Sequence, residues 1–322
     1  MNSLRLPVIA LALFAAATAF AQEQRKIAPD VKAASDKMWA TVLATPALPM
    51  EKIELHPKVT LEGISAVAAD KQGNVYVIHR PTAKDADPIV KLNAKGELVA
   101  SWGKGMYVIP HGIRIDPQGN IWTTDANTSK VFKYTPDGKQ LMMFEVGEVP
   151  DAKRPFCSIT DIAFSPKGDG HVFIGDGYCN ARVLEYDASG KRVAAWGKAG
   201  TGPGEFRQVH SLGIGADGNI YVGDRQNGRI QWFDLSGKFL GEHKFGIDVT
   251  SIGIGPSGEI YASTHPVGVP LEQDNVTVKV DPKTGKFLGH IETRAHQIGV
   301  GPDGTFLPAT RDGQLVMYRP KK

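Results

Sequence analysis

The chain has 322 residues, of which 42% are hydrophobic, and a formal net charge of +3 that is spread along its length. No basic stripe or patch interrupts this distribution, so nucleic acid is not an expected partner. Beyond the N terminus no apolar run reaches the ~20 residues that a membrane-spanning helix needs, and we expect no membrane insertion.

The first 21 residues have the pattern of a secretory signal peptide. A positive charge at Arg5 precedes an uncharged apolar run from Leu6 to Phe20, and the sequence Ala-Phe-Ala at 19–21 is typical of a cleavage site. The run is too short to span the ~30 Å hydrocarbon core of a bilayer. We therefore predict cleavage after Ala21 and export to the periplasm or the exterior.

Residues 22–53 are predicted to form an N-terminal arm. A helix is expected from Asp30 to Leu43 because apolar residues recur on one helical face. These residues are Val31, Ala34, Met38, Trp39 and Val42. Prolines at 46 and 49 break the helix. The arm either packs on the outside of the following domain or forms a flexible leader.

A short pattern then recurs six times, at intervals of 40 to 51 residues. Each copy has a turn glycine, in most copies followed by a polar residue, and then an apolar or aromatic run. The turn glycines are Gly73, Gly119, Gly170, Gly218, Gly258 and Gly304. Between these copies lies a second family of turns rich in Asp, Asn and Gly, of which 136–139 is one. Glycine allows positive φ in such turns, and Asp and Asn cap them.

Each repeat is therefore predicted to hold about four short strands in two hairpins. A single four-stranded sheet cannot bury both faces, whereas six sheets packed radially can. The pattern resembles NHL-type repeats. We predict an all-β, six-bladed β-propeller over residues 54–322, in which the stretch near Glu54 to Thr60 closes the last sheet.

Equivalent positions of the repeats carry an alternating pattern. Eight residues before each turn glycine (counting from Gly168 in the enlarged third turn) stand Ser65, His111, Thr160, His210, Thr250 and His296. Alternate blades of a six-bladed ring are related by about 120°, so His111, His210 and His296 are expected to converge on the central channel. A single histidine there would most simply be structural. Three imidazoles with an open fourth position predict a metal, with zinc favoured over iron or copper.

A second ring of positions lies where the next strand returns to the same mouth. Seven residues past the turn glycines, with Gly170 as the third, are Arg80, Ala126, Gly177, Arg225, His265 and Arg311, and Tyr178 follows Gly177. Arginine binds carboxylates in a bidentate manner, so we expect a small acidic molecule or a peptide C terminus as the ligand. The alternative for each arginine is a surface salt bridge or a cap. His265 is given a structural role.

The only two cysteines, Cys157 and Cys179, lie in one segment of a chain with a predicted signal peptide. A disulfide is the natural interpretation in an exported protein, and metal thiolates are the alternative.

These residues resemble the peptidyl-α-hydroxyglycine α-amidating lyase domain. The resemblance rests on PHGIRID from Pro110, DGYCNAR from Asp176, HSL from His210 and DRQNGRIQ from Asp224. It implies a six-bladed propeller with zinc on the three histidines, which splits a peptidyl-α-hydroxyglycine into an amide and glyoxylate. Tyr178 would be the general base, Arg80 would position the substrate carboxylate, and Arg225 would support Tyr178. Cys157 and Cys179 match a disulfide of the family.

The resemblance is incomplete at one site. The family holds a structural calcium on two backbone carbonyls, matched by Val67 and Ile113, and on an aspartate after the third histidine. Here that residue is Gln297, and calcium is a hard cation that favours charged oxygens. Calcium is thus a weaker expectation than zinc. A metal-dependent hydrolase of the lactonase type and a non-catalytic binding propeller are the alternative functions, and a monomer is expected.

Overall fold

The computed structural model describes residues 27–321 except 152, 271, 272 and 274. The predicted signal peptide lies outside the described residues. Six four-stranded antiparallel sheets form a six-bladed β-propeller, which confirms the predicted fold. The first strand of each blade contacts the first strands of both neighbouring blades, so these six strands line the channel.

The strands of each blade are given from the channel outward. Blade 1 contains β2 (Ala66–Ala69), β3 (Val75–Ile78), β4 (Ile89–Leu92) and β5 (Leu98–Trp102). Blade 2 contains β6 (Pro110–Ile115), β7 (Ile121–Asp125), β8 (Lys130–Tyr134) and β9 (Gln140–Glu145). Blade 3 contains β10 (Ile162–Phe164), β11 (Val172–Asp176), β12 (Arg182–Tyr186) and β13 (Arg192–Trp196). A short parallel pair, β14 (Lys198–Ala199) and β15 (Glu205–Phe206), follows blade 3.

Blades 4 to 6 repeat the arrangement. Blade 4 contains β16 (Val209–Ile214), β17 (Ile220–Asp224), β18 (Arg229–Phe233) and β19 (Phe239–Lys244), with a 3-10 turn at Arg225–Asn227. Blade 5 contains β20 (Asp248–Ile254), β21 (Ile260–His265), β22 (Val276–Val280) and β23 (Phe287–Ile291). Blade 6 contains β24 (Ala295–Val300), β25 (Phe306–Thr310), β26 (Leu315–Pro320) and, as its outer strand, β1 (Met50–Leu55).

Strand β1 closes the ring by pairing the two ends of the chain. It runs antiparallel to β26, with Met50 opposite Pro320 and Leu55 opposite Leu315. The closing strand therefore lies earlier than the predicted stretch 54–60, and the predicted boundary after residue 53 falls inside it. Pro57 explains the difference, because proline lacks the N–H group that a strand ladder needs.

The turn chemistry expected from the sequence is present. Gly73 and Gly119 have φ of 80° and 89°, a region that is readily accessible only to glycine. In the first turn the Asp70 carboxylate accepts hydrogen bonds from the backbone N–H groups of Gln72 and Asn74, both at 2.9 Å. Apolar side chains of adjacent blades pack together between the sheets, which places the core in the wedges around the channel.

The predicted arm helix is α1 (Pro29–Leu43), which begins one residue earlier than expected. It packs against blade 5, where Val42 is fully buried in an apolar cluster with residues of β20 to β22. The Ser35 hydroxyl accepts a hydrogen bond from the Val267 N–H group at 2.9 Å. The helical part of the arm therefore docks on the propeller rather than forming a flexible leader. No helix of the described residues is both long and apolar enough for a membrane span.

Candidate metal centre and active site

The three predicted histidines meet at one end of the channel. His111, His210 and His296 each lie in the first two residues of a channel-lining strand, and each is at most 1% exposed. One ring nitrogen of each lies within 4.8 Å of the corresponding nitrogens of the other two. Within the described part of the chain, this is the one group of three or more His, Cys, Asp or Glu side chains with metal-ligand spacing.

Backbone carbonyls orient the three imidazole rings. The Nδ1 atom of His111 lies 2.7 Å from the carbonyl oxygen of Thr160, and that of His210 lies 2.5 Å from the carbonyl oxygen of Thr250. The Nδ1 atom of His296 lies 2.9 Å from the carbonyl oxygen of Ser65. A carbonyl only accepts, so each Nδ1 carries the proton and each Nε2 presents its lone pair to the centre. Each histidine is thus bound by the backbone carbonyl of the serine or threonine that holds the equivalent position in the next blade.

The hydroxyl groups of the intervening blades connect the ring in the same direction. The Ser65 hydroxyl donates to the carbonyl oxygen of Pro110, and the Thr160 hydroxyl lies 2.9 Å from the carbonyl oxygen of Val209. Both acceptors directly precede a histidine of the site. From blade 5 it is the Ser263 hydroxyl that donates to the corresponding carbonyl, that of Ala295 in blade 6, at 2.6 Å. The Thr250 hydroxyl has no hydrogen-bond partner among the described residues.

The donor set fits zinc. Burial, reinforced by the charge of an arginine, lowers the pKa of each histidine well below its ordinary value, and a neutral imidazole is the form that binds a metal. The arginines beside His111, His210 and His296 are Arg80, Arg225 and Arg311, respectively. The buried Nε2 atom of His296 has no hydrogen-bond partner among the described residues, as expected for a metal ligand. Three such nitrogens can hold zinc and leave a fourth position open.

Tyr178 contacts two of the three histidines. Its hydroxyl oxygen lies 2.7 Å from Nε2 of His111 and 3.0 Å from Nε2 of His210. The predicted disulfide between Cys157 and Cys179 is present and ties the loop of Tyr178 to the segment before β10. Burial raises the pKa of the Tyr178 hydroxyl. The charges of Arg225, Arg80 and Arg311 lower this pKa, but burial is the larger effect.

Arg80 contacts both a backbone carbonyl and an aromatic ring at this mouth. Its Nε atom donates to the carbonyl oxygen of Pro110 at 3.1 Å, and its guanidinium lies 5.1 Å from the centre of the Phe156 ring. Burial and the charge of Arg311 lower the pKa of Arg80 to about 10, so the side chain stays charged at neutral pH. Its buried Nη2 atom has no partner among the described residues, and this leaves a donor for a substrate carboxylate.

Phe156 is a site residue that the sequence did not single out. Its ring packs edge-on against the ring of Tyr178, with 5.4 Å between the ring centres, and lies under the guanidinium of Arg80. Its φ of 55° is in the left-handed region, which is strained for a bulky residue and is often found at functional sites. The adjacent disulfide holds it there. No sequence pattern marks a positive φ at phenylalanine, and its position before Cys157 was the one available indication.

His265 remains outside the histidine group. It is 1% exposed, and burial and the charge of Arg225 lower its pKa to about 3. Its Nδ1 atom lies 3.2 Å from the carbonyl oxygen of Pro266. The structural role of His265 stays a prediction.

The expected calcium ligands do not assemble into a charged site. Val67 and Ile113 lie in the channel-lining strands β2 and β6. The side chain of Gln297 is fully buried, with Nε2 3.4 Å from the carbonyl oxygen of Thr160 and Oε1 without a partner among the described residues. These donors are all neutral, whereas calcium sites typically include carboxylates. The residues present therefore do not fit calcium.

Comparison with known proteins identifies relatives of the propeller. A family model described as a 6-bladed beta-propeller matches residues 153–286, and a model of the NHL repeat matches residues 108–134. The chain is 34% identical over 223 residues to the peptidyl-glycine alpha-amidating monooxygenase of Mus musculus. That alignment covers 59% of this chain and 23% of the mouse protein. The chain spans between 21% and 32% of the length of the four amidating monooxygenases that it matches first.

A shorter relative aligns over most of its length. The Caenorhabditis elegans protein with the name "Probable peptidyl-alpha-hydroxyglycine alpha-amidating lyase" is 30% identical over 297 residues, which covers 81% of this chain and 83% of that protein. Among solved structures, a streptogramin B lyase superposes with a TM-score of 0.60 at 13% identity and covers 84% of this chain and 98% of that chain. This structural similarity supports the fold alone.

Proposed function

Because the chain belongs to the peptidyl-α-hydroxyglycine α-amidating lyase family, we propose that it cleaves the C–N bond of a peptidyl-α-hydroxyglycine-like substrate to give an amide and glyoxylate. The observation that carries this proposal is the contact of the Tyr178 hydroxyl with the Nε2 atoms of His111 and His210. A tyrosine beside these nitrogens is suited, as the phenolate, to remove a proton from a hydroxyl group bound at the same point.

Zinc held by His111, His210 and His296 would supply a Lewis acid that stabilises negative charge on the substrate hydroxyl oxygen. In the proposed reaction the phenolate form of Tyr178 accepts the proton of that hydroxyl group. The C–N bond then breaks, its electron pair goes to the amide nitrogen, and the nitrogen takes up the proton. The hydroxylated carbon becomes the aldehyde carbon of glyoxylate, so the step needs no oxidant, reductant or water.

Arginines support both ends of this reaction. The charges of Arg225, Arg80 and Arg311 lower the pKa of Tyr178 against the effect of burial, which is the direction that a base requires. The Nη2 atom of Arg80 is the donor that we assign to the substrate carboxylate. Arg225 begins the 3-10 turn after β17, and its N–H group donates to the carbonyl oxygen of Gln208 at 3.0 Å. This contact fixes the backbone from which Arg225 supports the tyrosine.

The proposed setting follows from the predicted export. Residues 1–21 predict a signal peptide, so the reaction would take place in the periplasm or outside the cell on a small acidic molecule or a peptide C terminus. The disulfide between Cys157 and Cys179 is compatible with an oxidising compartment.

The test is glyoxylate release from α-hydroxyhippurate by the zinc-loaded protein and by Tyr178→Phe. The variant should lose at least about a hundredfold in turnover, since a general base contributes ~10²–10⁴ in rate. Its zinc content should be unchanged. Tyr221→Phe is the matched control, because that hydroxyl bonds to Asp217 near a turn and not to the histidines.

Two results would contradict the proposal. Unchanged turnover in Tyr178→Phe would remove Tyr178 from the mechanism. A zinc-loaded wild-type protein that releases no glyoxylate from any of a set of peptidyl-α-hydroxyglycines would refute the lyase activity itself.

A further inference from the structure

Arg114 crosses the channel next to the metal centre. It lies in β6, three residues after His111, and its side chain is 16% exposed. Its Nη1 atom donates to the carbonyl oxygen of Ile298 in blade 6 at 3.0 Å. Its Nη2 atom donates to a carboxylate oxygen of Asp161, at the start of blade 3, at 2.6 Å. One guanidinium thus joins three blades of the propeller.

Asp161 extends this network and is fully buried. The oxygen that binds Arg114 also accepts the N–H group of Leu212 in blade 4 at 3.1 Å, and the second oxygen accepts the N–H group of Ile162 at 2.9 Å. Burial raises the pKa of Asp161, and the charge of Arg114 opposes this effect. We refer to Arg114 and Asp161 as the arginine layer, and to His111, His210 and His296 as the histidine layer.

The two layers are adjacent along three strands. Asp161 follows Thr160, whose carbonyl orients His111, and Ile298 lies two residues after His296. The other side of the arginine layer faces a cavity of about 850 Å³ at the opposite end of the channel. Arg114 lines this cavity together with apolar residues that include Leu212 and Ile252. The arginine layer therefore separates the histidine layer from that cavity.

The arginine layer already contains a paired positive charge. A calcium ion takes six to eight oxygen ligands, usually with carboxylates among them. Here the carboxylate of Asp161 is committed to Arg114, and the residue after the third histidine is the neutral Gln297. The charges of Arg114 and Asp161 balance, and the neutral Gln297 adds no charge that would attract a divalent cation. The channel therefore already holds a cation on its buried carboxylate, and that cation is the guanidinium.

We propose that the Arg114 guanidinium is the built-in structural cation of the channel, and that this protein assembles its histidine layer without calcium. The contacts with Asp161 and Ile298 bring blades 2, 3 and 6 together, as a shared ion would do. This inference concerns the stability of the channel and does not depend on which substrate the histidine layer serves.

The first test uses the wild-type protein prepared without added calcium and loaded with zinc. Elemental analysis should find no bound calcium, and added calcium chloride should leave the melting temperature unchanged. Stoichiometric calcium, or a melting temperature that rises with calcium, would overturn the proposal. In that case the buried Oε1 atom of Gln297 would be the expected ligand.

The second test asks whether exchanging the built-in cation creates a calcium requirement. The double variant Arg114→Ser with Gln297→Asp should melt below the wild type without calcium and should regain stability when calcium is added, since a ligand that binds only the folded state stabilises it. Gln297→Asp alone is the matched control and should not respond to calcium, because Arg114 remains. A calcium response in this control would contradict the proposal. If the double variant does not fold, the calcium content and melting temperature of the wild type still test the proposal.

Discussion

The histidine layer and the arginine layer are adjacent in one channel, yet their buried polar groups differ in how completely they are paired. The histidine layer collects three neutral nitrogens and leaves the Nε2 atom of His296 without a partner among the described residues. The arginine layer pairs Arg114 with Asp161 and satisfies both carboxylate oxygens with further backbone N–H groups.

The histidine layer therefore needs an added cation, whereas the arginine layer already contains one in the guanidinium of Arg114. A catalytic metal needs an open position for the substrate, so its ligands must be incomplete when the substrate is absent. A structural cation needs no open position, and a guanidinium with fixed donors can take this role. Breaking one layer while leaving the other intact is therefore the direct way to test their separation.

The largest effect is expected for His210→Ala. Loss of one ligand should abolish zinc binding and lower glyoxylate release by at least about a thousandfold, because a metal contributes several kcal/mol to the transition state. Among the described residues no hydrogen bond or ion pair is seen between the arginine layer and His210, so the variant should still fold. Zinc content and circular dichroism, measured with turnover, would check both statements. A variant that is unfolded would show that the two layers are not separable.

A smaller effect on the histidine layer is expected for Phe156→Leu. The ring contacts Arg80 and Tyr178, and a cation–π contact is worth about 0.5–2 kcal/mol, or up to about thirtyfold in kcat/KM. Because the arginine that we assign to the substrate carboxylate is loosened, KM should rise more than kcat falls. Zinc content should stay constant. The result that would count against this role is an unchanged KM.

The smallest effect on turnover is expected at Thr160, the residue that connects both layers, where the change is one of stability. Thr160→Val removes the donor to the carbonyl of Val209 and leaves a buried acceptor, which costs about 1–3 kcal/mol in the free energy of unfolding. Thr250→Val is the matched control, since its hydroxyl has no partner among the described residues. That variant should be as stable as the wild type. Equal losses in chemical denaturation would show that the hydroxyl ring does not support the histidines.

Much of the site was predictable because a repeat converts sequence distance into geometry. The turn glycines define the blade length, and the positions eight residues before them place His111, His210 and His296 on one ring. The same counting placed Arg80 and Tyr178 at the same mouth. The closing strand was predicted less well, since β1 has no turn glycine of its own to define its register.

The sequence by itself determined the six blades, the converging histidines and the cysteine pair, because these follow from local turn chemistry and a repeated spacing. Only the tertiary structure decided which hydrogen bonds and contacts form between the blades. The carbonyl that orients each histidine, the left-handed backbone of Phe156 and the path of Arg114 to Asp161 all depend on the angle and distance between neighbouring sheets. Those contacts join residues that are far apart in the chain, and packing, rather than any local preference, brings them together.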